Sequence, residues 1–206
     1  MQQLPTHRES GLRHWLRREL PQIALMLGLF LAARDTLANH YQVPSGSMRH
    51  TLQIGDRVAV DMRAYGLRLP FTGITLVEMG APARGDIAVF DSPVDGERLI
   101  KRVAAVAGDR VELRDGRLWI NGASLQSGDD AAEVFGMHRA MLDLAHGGGP
   151  DIALRVVPEG HVLMLGDARG NSLDGRYFGL VRASALYGRA AAVYYRRNEG
   201  LGWRAL

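Results

Sequence analysis

Arg110-Val111-Glu112-Leu113-Arg114-Asp115-Gly116-Arg117-Leu118-Trp119-Ile120 reads as two short β-rich runs joined by a two-residue turn. Asp-Gly is the dipeptide that accepts positive φ at both central positions of a tight hairpin, so this stretch decides for strands over helix. Asn121-Gly122 makes a second tight turn directly after it. Working outward, Arg57-Val58-Ala59-Val60, Asp86-Ile87-Ala88-Val89-Phe90, residues 99–106, His161-Val162-Leu163-Met164-Leu165 and residues 186–195 repeat the pattern. The expectation is a mainly β, antiparallel domain closed by the 186–195 strand, with Arg196-Arg197 as a solvated end. Residues 128–150 show no clear alternation and contain Gly147-Gly148-Gly149, so an inserted excursion over about 123–158 is expected, with partial helix left open.

At 206 residues, 47% hydrophobic and 23% charged, the chain can bury a core and suits one main domain. A net charge of +3 is mildly basic, but no basic stripe interleaved with aromatics appears, so nucleic acid is not an expected partner. Cysteine is absent, which removes disulfides, thiolate metal sites and cysteine nucleophiles together. His138 and His146 with Asp143 match no zinc spacing, so neither metal nor other cofactor is expected.

The N-terminus carries Arg8, Arg13, Arg17 and Arg18 before an apolar run at 20–33 that closes at Arg34-Asp35. This charge step favours a cytoplasmic tail at 1–19, a transmembrane anchor at 20–38 and an extracytoplasmic domain at 39–206, giving a single-pass membrane protein. The run is short for a span, and two other readings compete: a cleavable signal peptide ending at Leu31-Ala32-Ala33 or Thr36-Leu37-Ala38, and a buried amphipathic helix. On the anchored reading, the fourteen positions from Ala33 to Ser47 would hold Ser47 within about 50 Å of the bilayer.

Ser47, in Val43-Pro44-Ser45-Gly46-Ser47-Met48, is a candidate nucleophile that would need a base. Of the 25 basic side chains, one is lysine, Lys101, and the other 24 are arginine. Arginine stays protonated, whereas a desolvated lysine can lose its proton near neutral pH, so Lys101 is the candidate base. The competing reading is that an arginine-rich composition left one lysine by chance. The loop Gly166-Asp167-Ala168-Arg169-Gly170-Asn171-Ser172-Leu173-Asp174-Gly175-Arg176 reads from its residues as a structural loop of short polar side chains.

Taken in order, the chain resembles the bacterial type I signal peptidases, the Ser-Lys endopeptidases that remove signal peptides from exported proteins. The likeness rests on Pro44-Ser45-Gly46-Ser47-Met48 with Thr51-Leu52 and Gly55-Asp56, then Tyr65-Gly66-Leu67-Arg68-Leu69-Pro70. It continues through Arg84-Gly85-Asp86 with Val89-Phe90, Ile100-Lys101-Arg102 with Gly108-Asp109, and the loop from Gly166 to Gly179. The resemblance implies a β-sheet catalytic domain of signal-peptidase type with an N-terminal transmembrane helix. It further implies Ser47 as nucleophile, Lys101 as general base, and the Ser45 hydroxyl with the Ser47 amide as the oxyanion hole. Ser172 would position the lysine, with Asp174 and Arg176 as support. The implied partners are preprotein signal peptides cut after small residues of the Ala-x-Ala type, membrane lipid, and the protein export machinery.

Departures from the family pattern define further expectations. His50 replaces proline, which should cost the turn after Ser47 some rigidity, and Leu99 replaces an aromatic residue. Ala168, Gly170 and Gly175 replace polar residues and are expected to remove hydrogen bonds around Asp174. Three rivals stand beside this reading: a His-assisted serine hydrolase using His50, a silent membrane-anchored binding domain, and a relative dedicated to one pilin or conjugation-type substrate.

Overall fold

In this computed structural model the described residues are 9–69, 74–128 and 131–206. Helix α1 (Glu9–Leu37) passes directly into β1 (Ala38–Gln42). There follow β2 (Arg57–Asp61), β3 (Leu67–Arg68), β4 (Thr75–Val77), β5 (Ile87–Asp91), β6 (Arg98–Val106), β7 (Arg110–Arg114), β8 (Arg117–Ile120) and β9 (Ala123–Ser124). Next come β10 (Ala132–Phe135), β11 (His138–Met141), β12 (Ile152–Val156), β13 (His161–Leu165) and the one-turn helix α2 (Gly175–Phe178). β14 (Val181–Arg182), β15 (Leu186–Arg196) and β16 (Gly200–Ala205) complete the chain.

The expected antiparallel β domain is present. An eight-stranded sheet runs β1-β2-β15-β5-β6-β13-β14, with β16 also on β15, and a four-stranded sheet runs β12-β7-β8-β9. The deciding stretch forms its hairpin: Arg114 pairs with Arg117 across Asp115 (φ 49°) and Gly116 (φ 76°), both positive as a type I′ turn requires. Asn121 and Gly122 repeat this between β8 and β9. Val111, Leu113, Leu118 and Ile120 turn one face of the hairpin into a core shared with Leu163 and Leu165 of the large sheet. That shared core fixes the two sheets on each other, next to the loop that follows β13.

Two expectations about less regular segments change. The excursion contains the hairpin β10–β11, with no helix among its described residues. Its alternation is masked because Ala132, Glu133 and Phe135 are all buried, so a charged residue sits where the pattern calls for an apolar one. The end after Arg196-Arg197 is the strand β16, paired with β15, instead of a solvated tail.

The transmembrane anchor expected at 20–38 needs correction. Among the described residues no helix is long and apolar enough to cross a membrane. α1 has 29 residues, but the apolar part at 20–33 covers about 21 Å at 1.5 Å per residue, against about 30 Å of bilayer core. Pro21 and Gln22 dilute its start, Arg34-Asp35 closes it, and Ala38 already belongs to β1. The single-pass topology drawn from that anchor is withdrawn with it. Residues 1–8 of the expected tail, and Pro70 of the family motif, lie outside the described residues.

Candidate active site

Strand register places Lys101. β6 pairs with β5 so that Lys101 faces Ala88, and with β13 so that Arg102 faces Leu165, the residue before Gly166. The glycine-containing loop therefore starts one strand away from the lysine. Ser47 lies in a one-turn helix, Gly46–Met48, pinned by Val43, Met48 and Leu52, all buried in the same apolar cluster. The Ala168 amide donates to the Ser47 carbonyl at 3.0 Å, tying the serine segment to the loop.

These anchors bring Ser47 and Lys101 together: Lys101 Nζ lies 2.5 Å from Ser47 Oγ although the residues are 54 positions apart. Ser45 Oγ donates to Ser47 Oγ at 3.2 Å. Lys101 is 3% exposed and Ser47 6%. Burial pushes the Lys101 ammonium down to about 8, because removal from water disfavours its charged form. The charges of Asp174 and Asp167 oppose that shift, and Arg176 reinforces it.

Asp174 and Arg176 form an ion pair with both side chains fully buried. The Asp174 carboxylate accepts from Arg176 Nε and Nη2, each at 2.8 Å, from the Arg176 amide, and from the Gly166 amide at 2.9 Å. The expected loss of hydrogen bonds around Asp174 is thus corrected. Ser172 is buried in the same loop, but its hydroxyl has no hydrogen-bond partner among the described residues, Lys101 included. It packs against Gly166, where an added Cβ would collide with Ser172 Oγ and approach the Ser47 carbonyl oxygen to 2.6 Å.

The departures have local causes. His50 adopts φ 73°, in the left-handed region that a proline ring cannot enter, so a proline would not fit this turn as it stands. At Gly170 a Cβ would strike the carbonyl of His146, and at Gly175 it would lie 2.7 Å from Leu163 Cδ1 and 2.9 Å from the Met164 carbonyl oxygen. Both glycines are places where other chain segments press on the loop.

Several supporting residues escaped sequence reasoning. Arg102 grips Asp167 through Nε at 2.9 Å and Nη2 at 2.7 Å, and Thr51 donates to the same carboxylate at 2.5 Å. Arg169 and Glu133 form a third buried pair at 2.6 Å. The available signal was a charge inside an apolar strand, as with Arg102 in β6, since buried charges require partners. Asp143 joins the excursion to the nucleophile segment by accepting from Arg49 Nη1 at 3.2 Å. Among the described residues no group of three or more His, Asp or Glu side chains could hold a metal ion.

Comparisons with known proteins identify the family of the chain. The profile of a family described as signal peptidase, peptidase S26, matches residues 13–195. Signal peptidase I of Pseudomonas fluorescens is 35% identical over 195 residues, covering 82% of this chain and 69% of that protein. Signal peptidase I of Pseudomonas aeruginosa is 32% identical over 195 residues with the same coverage. A crystal structure of a signal peptidase I from Enterococcus faecalis shares 32% identity over 55% of this chain and 100% of the other, with a TM-score of 0.40.

Proposed function

The chain belongs to the signal peptidase family, peptidase S26, and from that premise we propose that it cleaves signal peptides from exported preproteins with Ser47 as nucleophile and Lys101 as general base. The observation that carries this is the 2.5 Å contact between the only lysine in the chain and a buried serine hydroxyl. Neutral Lys101 takes the proton from Ser47 Oγ as it attacks the scissile carbonyl, and an acyl-enzyme forms. The protonated lysine then gives its proton to the departing amine. Water releases the acyl group, with Lys101 again acting as base.

A pKa near 8 suits this role, because a useful fraction of the amine is neutral at physiological pH and the base is still strong enough to accept the proton. Oxyanion stabilisation is assigned to the Ser45 hydroxyl and the Ser47 amide. The first N–H groups of a helical turn have no partner within the turn and are free to donate to a ligand. Asp174 and Arg176 act on the lysine through their charges, Ser172 supports the site by packing on Gly166 beside the Ser47 carbonyl, and the 39–206 region is the catalytic domain. Small residues of the Ala-x-Ala type are the proposed cleavage preference, with preprotein signal peptides as partners.

The test incubates wild type, Ser47→Ala and Lys101→Arg with a preprotein carrying an Ala-x-Ala site, and follows cleavage by mass. Both variants should lose processing. Cleavage that survives Lys101→Arg would sink the mechanism, since arginine keeps the charge but cannot serve as the base.

A further inference from the structure

Glu133 belongs to β10, inside the excursion, yet it has 1% side-chain exposure and no apolar role. Its Oε2 accepts from Arg169 Nη2 at 2.6 Å, and its Oε1 accepts from Arg169 Nη1 at 3.3 Å and from the Leu118 amide at 2.7 Å. Arg169, equally buried, uses Nε to hold the Gly166 carbonyl at 3.0 Å and Nη1 to hold the Gly116 carbonyl. Gly166 is where the loop touches the dyad: its amide donates to Asp174, and its Cα is packed against Ser172 Oγ and the Ser47 carbonyl. An unbroken line of contacts thus runs from Glu133 through Arg169 and Gly166 to Ser172, Asp174 and Ser47.

The rest of the excursion clasps the same loop. The Asp143 amide donates to the Asp167 carbonyl, and the Arg169 amide donates to the Asp143 carbonyl, each at 3.0 Å. Arg176 Nη1 donates to the Gly148 carbonyl at 2.6 Å, and the 146–147 backbone passes so close to Gly170 that no side chain fits there. The desolvation of this buried pair is offset by full bonding, since both Glu133 oxygens accept and Arg169 donates from all three of its nitrogens.

We propose that Glu133, acting through Arg169 on the Gly166 carbonyl, is a positioning residue for the Ser47–Lys101 pair, which makes the excursion a working part of the site. This rests on the Ser-Lys reading above. The groups whose charges act on Lys101 are Asp174, Asp167 and Arg176. All three lie in the loop that starts at Gly166, and burial outweighs them, so loosening that loop admits water to the lysine and moves its titration to higher pH.

The experiment measures kcat, KM and the pH–kcat profile for wild type, Glu133→Gln, Glu133→Asp and Ser47→Ala on one preprotein, with rates expressed per folded molecule from near-UV circular dichroism. Glu133→Gln should lower kcat by about tenfold or more and shift the rising limb of the profile to higher pH, with KM within about twofold. Glu133→Asp, which keeps the charge, should recover most of the rate. A lower melting temperature with unchanged kcat and pH profile would overturn the proposal and leave Glu133 a structural residue. Should Glu133→Gln fail to fold, Arg169→Lys decides the matter. It keeps the buried charge pair but lacks the fork that reaches Gly166, so wild-type kcat there would also overturn the proposal. Full activity of Ser47→Ala would instead refute the Ser-Lys reading, which separates the two failures.

Discussion

Replacing Lys101 by methionine should make the protein more stable at neutral pH, and the size of the effect follows from where the lysine sits. Its ammonium titrates at about 8 in the folded chain against 10.5 as an ordinary side chain, with burial as the main cause. Protons therefore bind the unfolded chain more tightly. Below the folded pKa the penalty is fully present, about 3 kcal/mol at roughly 1.4 kcal/mol per pH unit. It shrinks as pH rises from about 8 and vanishes above the unfolded value. Methionine keeps the apolar stem and carries no charge, but it gives up the Ser47 hydrogen bond, a loss of about 1 kcal/mol. The net expectation is a gain of about 2 kcal/mol at pH 7, narrowing by about 2 kcal/mol by pH 9.5. Urea unfolding followed by tryptophan fluorescence at several pH values gives the difference curve, in which other titrations cancel. Parallel stability curves for wild type and Lys101→Met would refute the reasoning, because they would mean that folding does not depress the lysine.

Gly166→Ala should abolish turnover while folding survives, since the new methyl collides with Ser172 Oγ beside Ser47. The loss expected is on the order of 2 kcal/mol of stability and most of kcat, checked by thermal melts beside cleavage rates. His50→Pro, which would restore the family residue, should destabilise by more than about 1 kcal/mol, because φ 73° is closed to proline; a chemical-denaturation midpoint reads this directly. Gly170→Asp, which puts a polar side chain back at that position, should lower the melting temperature by several degrees for a cost of about 1–3 kcal/mol, because a Cβ meets the His146 carbonyl. Asp167→Asn strips Arg102 of its buried partner and should cost about 3–5 kcal/mol, measured by urea unfolding.

The hairpin at 110–120 was legible because its turn residues have a backbone reason to be there: Asp115 and Gly116 both adopt positive φ. The strand cores at 57–60, 86–90, 99–106, 161–165 and 186–195 were legible for the related reason that apolar and β-branched runs fill a half-buried sheet. The pairing of Ser47 with Lys101 was legible through composition, an accident of having one lysine. Glu133 was not, because a buried carboxylate in a strand looks like a break in the pattern until its partner 36 positions away is known. The N-terminal run misled for a different reason: a charge step followed by apolar residues gives direction but not span, and 29 helical residues include too few consecutive apolar ones.

Gly170 and His50 carry the sharper lesson, because each was read as a loss relative to the family. A polar residue replaced by glycine looks like a missing hydrogen bond only while the loop is imagined alone. Once residues 146–149 lie across it, the side chain has nowhere to go, and its hydrogen-bonding work passes to backbone groups such as the Gly148 carbonyl that Arg176 holds. Asp174 keeps four donors under this arrangement. The glycine and the excursion therefore go together: a segment that packs closely on a loop requires the loop to be bare at the point of contact. On this account the excursion and the departures would have to be exchanged together. A graft of the family loop alone into this chain should fold less well than a graft of the loop with its neighbouring segment.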